Sequence, residues 1–211
     1  LMKNDPILFR DPVTRIHVGG QELLVRNEIA QADSVFISAP QPIEEKLLVS
    51  HDGIAVALRI APGDISEKHR IALINAGLST LIVPIDSLDT LLSIHPDQQN
   101  LREFCLSNGI EIIVVFSPET LKAGNSYRTR VFAPIFGYLE DPATGSGNAA
   151  LGYYLLKEGT WDGHMIAIEQ GKIRENPNII RLVSDASKVQ RSVFFGGNAV
   201  VRIEGDYLLY P

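Results

Sequence analysis

The sequence predicts a mixed α+β fold, and three observations carry that expectation. Short runs rich in β-branched and aromatic residues recur along most of the chain. Helical patterns occur only as isolated segments among them, without the regular alternation of a doubly wound sheet. The chain closes on alternating runs, "NIIRLVSD", "RSVFFGG" and "NAVVRIEGDYLLY", that suit a meander. No internal repeat or low-complexity tract is visible.

Taken in order, "RIHVGGQELLVRN" holds a Gly19-Gly20 pair between two β-rich runs, a hairpin signal. "SVFISAPQPIEEK" is a strand ending in a connector at Pro40 and Pro42, the best boundary candidate. A short helix is expected within "EEKLLVSHDGI". "HRIALINAG" is a strand running into Gly77, and "LSTLIVPI" is another. "SLDTLLSI" suits a helix with Ser87 as its N-cap, and "DQQNLREFCLSNG" a helix with Gly109 just past its end. "IEIIVVFS" and "YRTRVFAP" are strands. The next helix spans about Gly145 to Lys157 and is stopped by Gly159; "HMIAIEQG" is the strand after it.

Composition narrows the function classes. The chain has 211 residues, enough for one large domain or two small ones, with 45% hydrophobic and 21% charged residues, an ordinary globular balance. A net charge of −6 and the lack of a basic run argue against nucleic acid as a partner. The single Cys105 excludes an internal disulfide framework and a cysteine-rich zinc site, which fits a reducing, cytoplasmic setting. The apolar runs are far shorter than the ~20 residues of a membrane span, and "LMKNDPILFRDP" holds no signal-peptide core. Five scattered histidines offer no metal-ligand spacing, so no metal is expected.

The segment "YLEDPATGSGNAALGYYLL" sets a polar, glycine-rich turn directly in front of an almost wholly apolar helix. A helix without a polar face is buried on all sides. Its small residues Gly147, Ala149, Ala150 and Gly152 allow close approach of other backbone. Its first turn carries unpaired N–H groups at the positive end of the dipole, which is a ready anion site if it opens into a cleft. Thr144 and Ser146 add hydroxyls there, Gly145 and Gly147 leave the backbone uncovered, and Asp141, beside Pro142, is a candidate acid/base or hydrogen-bond acceptor. The plainer reading, in which Thr144 or Ser146 merely caps a core helix, stands beside it. The motif is neither a Walker loop nor a dinucleotide fingerprint. Glu169 and Gln170 are candidates to line the cleft but not to act as acid or base, and Tyr153, Tyr154 and Cys105 are expected in the core.

The stretch "RVFAPIFGYLEDPATGSGNAALGYYLL" closely resembles the signature of the phenazine-biosynthesis (PhzF-like) isomerase family. "NAGLSTLIVPI", "EQG" and "FFGGNAVVRIEG" also resemble it, and the similarity runs from about Ile16 to Gly205. The resemblance implies a diaminopimelate epimerase-like fold: two similar domains, each a β-barrel around a central helix, with the helix N-termini converging on one substrate. It implies that Asp141, Gly145 and Ser146 face the substrate; Asp141 is expected to be catalytic, and Thr144, Gly145, Ser146, Gly147 and Gly77 to bind substrate. It further implies a small carboxylate as substrate and a proton shift without a cofactor.

Three departures qualify it. The position that holds a cysteine base in the related epimerases is Gly147 here, so two-cysteine racemisation is not expected. After "EQG" the family's Gly-Arg-Pro-Ser segment is replaced by Glu175-Asn176-Pro177-Asn178. The family's front region, with its "Gly-His-Ala" turn and the catalytic Glu of "Asn-Leu-Ser-Glu", has no counterpart in these residues. Residues 1–45 then correspond to the closing strands of a partial first domain, and residues 46–211 to a second barrel with its central helix at about 145–157. The catalytic Glu, and cover for the first-domain strands at Val18, Leu23, Val25, Val35, Phe36 and Ile37, are expected from a second chain carrying the front half; a homodimer would supply cover only. The rival expectation is a non-catalytic remnant that keeps a small-anion pocket.

Overall fold

The computed structural model describes residues 6–185, 191–200, 203, 205 and 208. A short helix, α1 (Pro6–Arg10), leads into the hairpin of β1 (Val13–Val18) and β2 (Gln21–Glu28), turned at Gly19 and Gly20 with φ of +57° and +80°. These are backbone values that a side chain disfavours. Helix α2 (Ile29–Ala32) is followed by β3 (Ser34–Ser38), which pairs antiparallel with β2. Beyond the Pro40–Pro42 connector the segment "EEKLLVSHDGI" holds the start of a helix only in its last four residues. The segment begins as a strand, β4 (Ile43–Glu45), and helix α3 (His51–Leu58) starts only where Ser50 accepts from the Gly53 amide at 3.1 Å.

Strands β5 (Ala72–Asn75) and β6 (Ser79–Pro84) form the next hairpin. Helices α4 (Leu88–Ser93) and α5 (Gln98–Ser107) cross over to β7 (Ile112–Ser117), which lies parallel to β6. Strand β8 (Tyr127–Phe132) returns antiparallel and carries the short β9 (Glu140–Asp141) on its flank. Helix α6 (Gly145–Lys157) then crosses over to β10 (Ile166–Gln170), parallel to β8. Strands β11 (Asn178–Asp185) and β12 (Ser192–Gly197) complete the described sheet. The last expected strand, "NAVVRIEGDYLLY", falls largely outside the described residues.

Among the described residues the strands share one sheet, ordered β1-β2-β3-β12-β11-β10-β8-β7-β6-β5-β4, with β9 beside β8. Strands β3 and β4 are joined by a short connector yet pair at opposite ends of the path from β12 to β5. That segment draws the two ends together, and the sheet curls around α6. The helix packs on β5, β6, β7, β11 and β12, and its residues Ala149 to Leu155 sit in one buried cluster with Ile82, Val114, Val131 and Leu182.

The alternate residues of the same strands face outward. Leu81, Val83, Ile113, Val115 and Phe132 pack under α3, α4 and α5 with Leu58, Leu91 and Leu101. Strands β6 and β7 are therefore buried on both faces, which is why they are continuous apolar runs in the sequence. Cys105 belongs to this outer layer; burial pushes its thiol up to about 12, so it stays protonated at neutral pH.

Two of the side chains expected to need outside cover are covered within the chain. Phe36 is fully buried and Val25 nearly so, because Gly196 pairs opposite Phe36 and leaves room for it. A Cβ on Gly196 would lie 2.2 Å from the Val35 carbonyl oxygen. Val18 is exposed, and Leu23, Val35 and Ile37 are half-buried. Among the described residues no helix is long and apolar enough to cross a membrane, and no cluster of three His, Cys, Asp or Glu could hold a metal ion.

Candidate active site at the mouth of the central helix

The parallel crossover from β8 through α6 to β10 fixes where the helix begins. Gln170, at the end of β10, is the register partner of Thr129 on β8, and both lie beside the first turn of α6. β8 alternates strictly: Thr129 and Val131 face the helix, while Arg128, Arg130 and Phe132 face outward. Thr129 donates its hydroxyl to Asn148 Oδ1 at 3.3 Å. Asn148 Nδ2 donates to the Thr144 carbonyl and to Gln170 Oε1, both at 2.7 Å. Gln170 Oε1 also accepts from the Thr144 amide at 3.0 Å, and its Nε2 donates to the Asp141 carbonyl at 2.7 Å and to Thr144 Oγ1 at 3.1 Å. Thr129, Asn148 and Gln170 are fully buried, so this network is dry and rigid.

Two buried arginines hold the surrounding loops. Arg128 pairs with Glu169 at 3.1 Å and donates to the carbonyls of Gly171, Ile173 and Arg174, clamping the turn after β10. Burial alone would push the Glu169 carboxyl up. Hydrogen bonds from the Leu121 and Lys122 amides, from Asn125 and from Arg128 outweigh it and hold the group below the ordinary glutamate range. Arg130 grips Glu140 through two hydrogen bonds of 2.9 and 2.8 Å and donates to the Ile94 carbonyl at 2.6 Å, so β9 is tied to the end of α4. Each arginine spreads its donors over several acceptors, which is how a guanidinium tolerates burial.

A cavity of about 510 Å³ opens beside the helix mouth. Its walls include Val35 and Ile37 of β3, Ala143 and Gly145 at the mouth, and Phe195 and Asn198 on the far side. A smaller one, about 200 Å³, adjoins it and is lined by Glu140, Pro142, Gln170 and Lys172, with Asn178 shared between the two. The larger cavity thus lies between the first-turn backbone of α6 and a strand from the front of the chain.

The expected site residues are placed unequally around this cavity. Gly145 lines it, and a Cβ there would lie 2.2 Å from the Phe195 ring. Ser146 is half-buried, and among the described residues its hydroxyl has no partner. Thr144 is the N-cap residue but makes no cap bond; its hydroxyl turns to Gln170. Gly147 is buried, and a Cβ there would lie 3.0 Å from Val114 and 3.2 Å from Ile112, so only its amide is on offer. Asp141 is half-buried and lines neither cavity; its Oδ1 accepts from the Ala143 amide at 3.1 Å, and Oδ2 has no partner among the described residues. Gly77 lies apart, in the exposed turn between β5 and β6 with φ +112°, its amide donated to Asn75 Oδ1 at 3.1 Å. Asn148, Thr129 and the holding role of Gln170 were not foreseen. The one signal in the sequence was a polar Glu-Gln pair ending an apolar strand.

The model of the phenazine biosynthesis-like protein family (PhzC-PhzF) matches residues 9–205. The chain belongs to this family. Among the relatives of this PhzF-like chain, an uncharacterized isomerase of Clostridium acetobutylicum is 30% identical over 161 residues, 72% of this chain and 52% of the relative. The trans-2,3-dihydro-3-hydroxyanthranilate isomerase of Pseudomonas chlororaphis is 28% identical over 184 residues, 83% of this chain and 60% of the relative. The crystal structure of a PhzF-family phenazine biosynthesis protein from Bacillus anthracis superposes with a TM-score of 0.81 at 20% identity, covering 95% of this chain and 70% of the other. At that identity the superposition speaks for the fold. The PhzF-like chain spans just over half the length of the Clostridium relative and three fifths of the Pseudomonas one.

Proposed function

We propose that this chain is the larger part of a cofactor-independent isomerase that shifts a proton on a small carboxylate-bearing metabolite. One observation carries the reading: the first-turn amides of α6 have no side-chain cap, and they open at Gly145 onto a cavity walled by β3. Amides of Gly145 and Ser146, with the Ser146 hydroxyl, would hold the carboxylate, where the helix dipole favours negative charge. Because the donors are fixed in advance, they cost no reorganisation when charge develops. Asp141 keeps one carboxylate oxygen for a substrate hydroxyl or amine, which it orients or helps to protonate. The base that removes the proton is supplied by a glutamate outside these residues, in the front half of the enzyme.

The test is deuterium incorporation. The protein, with the complementing front half, is incubated in D2O with trans-2,3-dihydro-3-hydroxyanthranilate and with a panel of small cyclic amino and hydroxy carboxylates. Carbon-bound deuterium that forms without added cofactor and persists in chelator supports the reading. Carboxylate binding without any exchange, even with the front half present, points to an anion-binding module instead. Asp141→Asn should abolish most of the turnover at a stability cost of only about 0.5–2 kcal/mol, the size of a turn or cap change. Loss of folding on that substitution would make Asp141 structural.

A further inference from the structure

Thr144 has a backbone suited to capping α6 and a side chain that does not cap it. Its φ and ψ are −112° and 115°, in the extended region also used by the N-cap residues of the three outer helices. In those helices Ser50, Ser87 and Asp97 each accept from the amide three residues on, at 3.1, 3.4 and 2.9 Å. At Thr144 the methyl group faces Gly147 instead, 3.5 Å from where a Cβ on that residue would sit. The hydroxyl faces the other way and accepts from Gln170 Nε2 at 3.1 Å.

We propose that Gln170 is a positioning residue that keeps the helix mouth uncapped, by engaging the Thr144 hydroxyl and withholding it from the first-turn amides. The proposal rests on the reading of that mouth as a carboxylate site. The orientation of the Gln170 amide is not free. Its oxygen meets two donors, the Thr144 amide and Asn148 Nδ2, and its nitrogen meets two acceptors, the Asp141 carbonyl and Thr144 Oγ1. Turning the amide over would set donor against donor and acceptor against acceptor. Gln170 is fully buried, so water does not compete for these bonds. One side chain thereby fixes the strand before the turn at Asp141, the entry to the helix at Thr144, and the side of Thr144 that meets the mouth. A ligand oxygen then competes with no resident hydroxyl for the Gly145, Ser146 and Gly147 amides.

The experiment reads amide hydrogen exchange at residues 145–147 by NMR, together with titration with acetate, in wild type, Gln170→Met, Thr144→Val and the double variant. Gln170→Met frees the Thr144 hydroxyl to rotate onto the Gly147 amide. Exchange at Gly147 should slow, and acetate affinity fall, each by about five- to tenfold, the equivalent of one helix cap. Adding Thr144→Val removes the hydroxyl and should return both values to within about twofold of wild type, because no cap can then form. A double variant no better than Gln170→Met would overturn the proposal, since a merely structural glutamine is not rescued by a second substitution. If both Gln170 variants fail to fold, Thr144→Val alone decides. Unchanged Gly147 exchange supports the proposal, and a rise of about fivefold or more would show that the hydroxyl is the cap and overturn it. Should acetate fail to bind wild type, the carboxylate reading falls, while the exchange rates still test Gln170.

Discussion

At its C-terminal end α6 is closed by the chain that follows it, and at its N-terminal end it is held open by residues from elsewhere. The amides of Glu158, Gly159 and Thr160 return to the carbonyls of Tyr154, Leu156 and Leu155, with Gly159 at φ +71° as the turning residue. Tyr154 donates to the Arg70 carbonyl at 2.9 Å, and burial pushes its hydroxyl up to about 12, so it remains a donor at any physiological pH. At the other end the cap residue Thr144 is turned away by Gln170, and Asn148 takes the Thr144 carbonyl. Local chemistry suffices to finish a helix end. Leaving one unfinished inside a core takes a designed network, because buried polar groups must all be partnered. The contrast is between an end that serves stability and the end proposed to serve binding.

The largest expected effect is at the frame of the open end. Arg128→Met leaves Glu169 buried without its cation and releases the turn at 171–174. It should cost about 3–5 kcal/mol in urea denaturation, since breaking a buried pair leaves an uncompensated charge. The pH dependence has a definite sign. The folded-state carboxyl of Glu169 lies below its unfolded value, so its contribution is complete above the ordinary glutamate range and is lost as pH falls through the folded value. Acid unfolding of wild type should show this loss, and Arg128→Met should show less of it. An unchanged acid limb would mean that the Leu121 and Lys122 amides and Asn125, rather than Arg128, hold the Glu169 carboxyl down.

Gly145→Ala comes next and acts on the mouth itself. The new methyl would overlap the Phe195 ring, which must swing toward the cavity. Overpacking of this kind costs about 1–3 kcal/mol. Acetate affinity should fall as well, because the ring moves into the space beside the amides. Unaltered affinity with reduced stability would separate Gly145 from the binding surface.

How much of this was legible in the sequence follows the same division. The bounds of α6, the Gly19-Gly20 hairpin, the Ser87 cap and the strands β6 and β7 all rest on local patterns and were readable. The strand at Ile43–Glu45 was not, since its pairing with β5 is a tertiary contact that three residues do not announce. The motif also pointed to the helix mouth, but it left the choice between a capped and an open helix unresolved. That choice is made by Gln170, which lies 26 residues from Thr144 and looks in sequence like an ordinary strand end. The burial of Arg128 and Arg130 was likewise hidden, because an alternating strand with two arginines normally turns them to solvent.

The smallest effect should come from the closed end. Lys157, in the last turn of α6, is ion-paired with Glu44 of β4, which Arg70 also contacts at 2.7 Å. Hydrogen bonds from Lys157 and then from Arg70 hold the Glu44 carboxyl below the usual range. The Lys157 side chain is 60% exposed, however, so solvent and salt screen most of that interaction. Lys157→Met removes one of two cations on Glu44 and a favourable charge at the helix C-terminus. The cost should be about 0.2–1 kcal/mol and should shrink further in molar salt, as for other exposed pairs. The remaining contribution of Glu44 should still be present above the carboxylate range and be lost as pH falls through its lowered value. Acetate affinity at the far end of the helix should not change. A fall in affinity on Lys157→Met would mean that the two ends of α6 are coupled through the helix. The division between a structural end and a binding end would then fail.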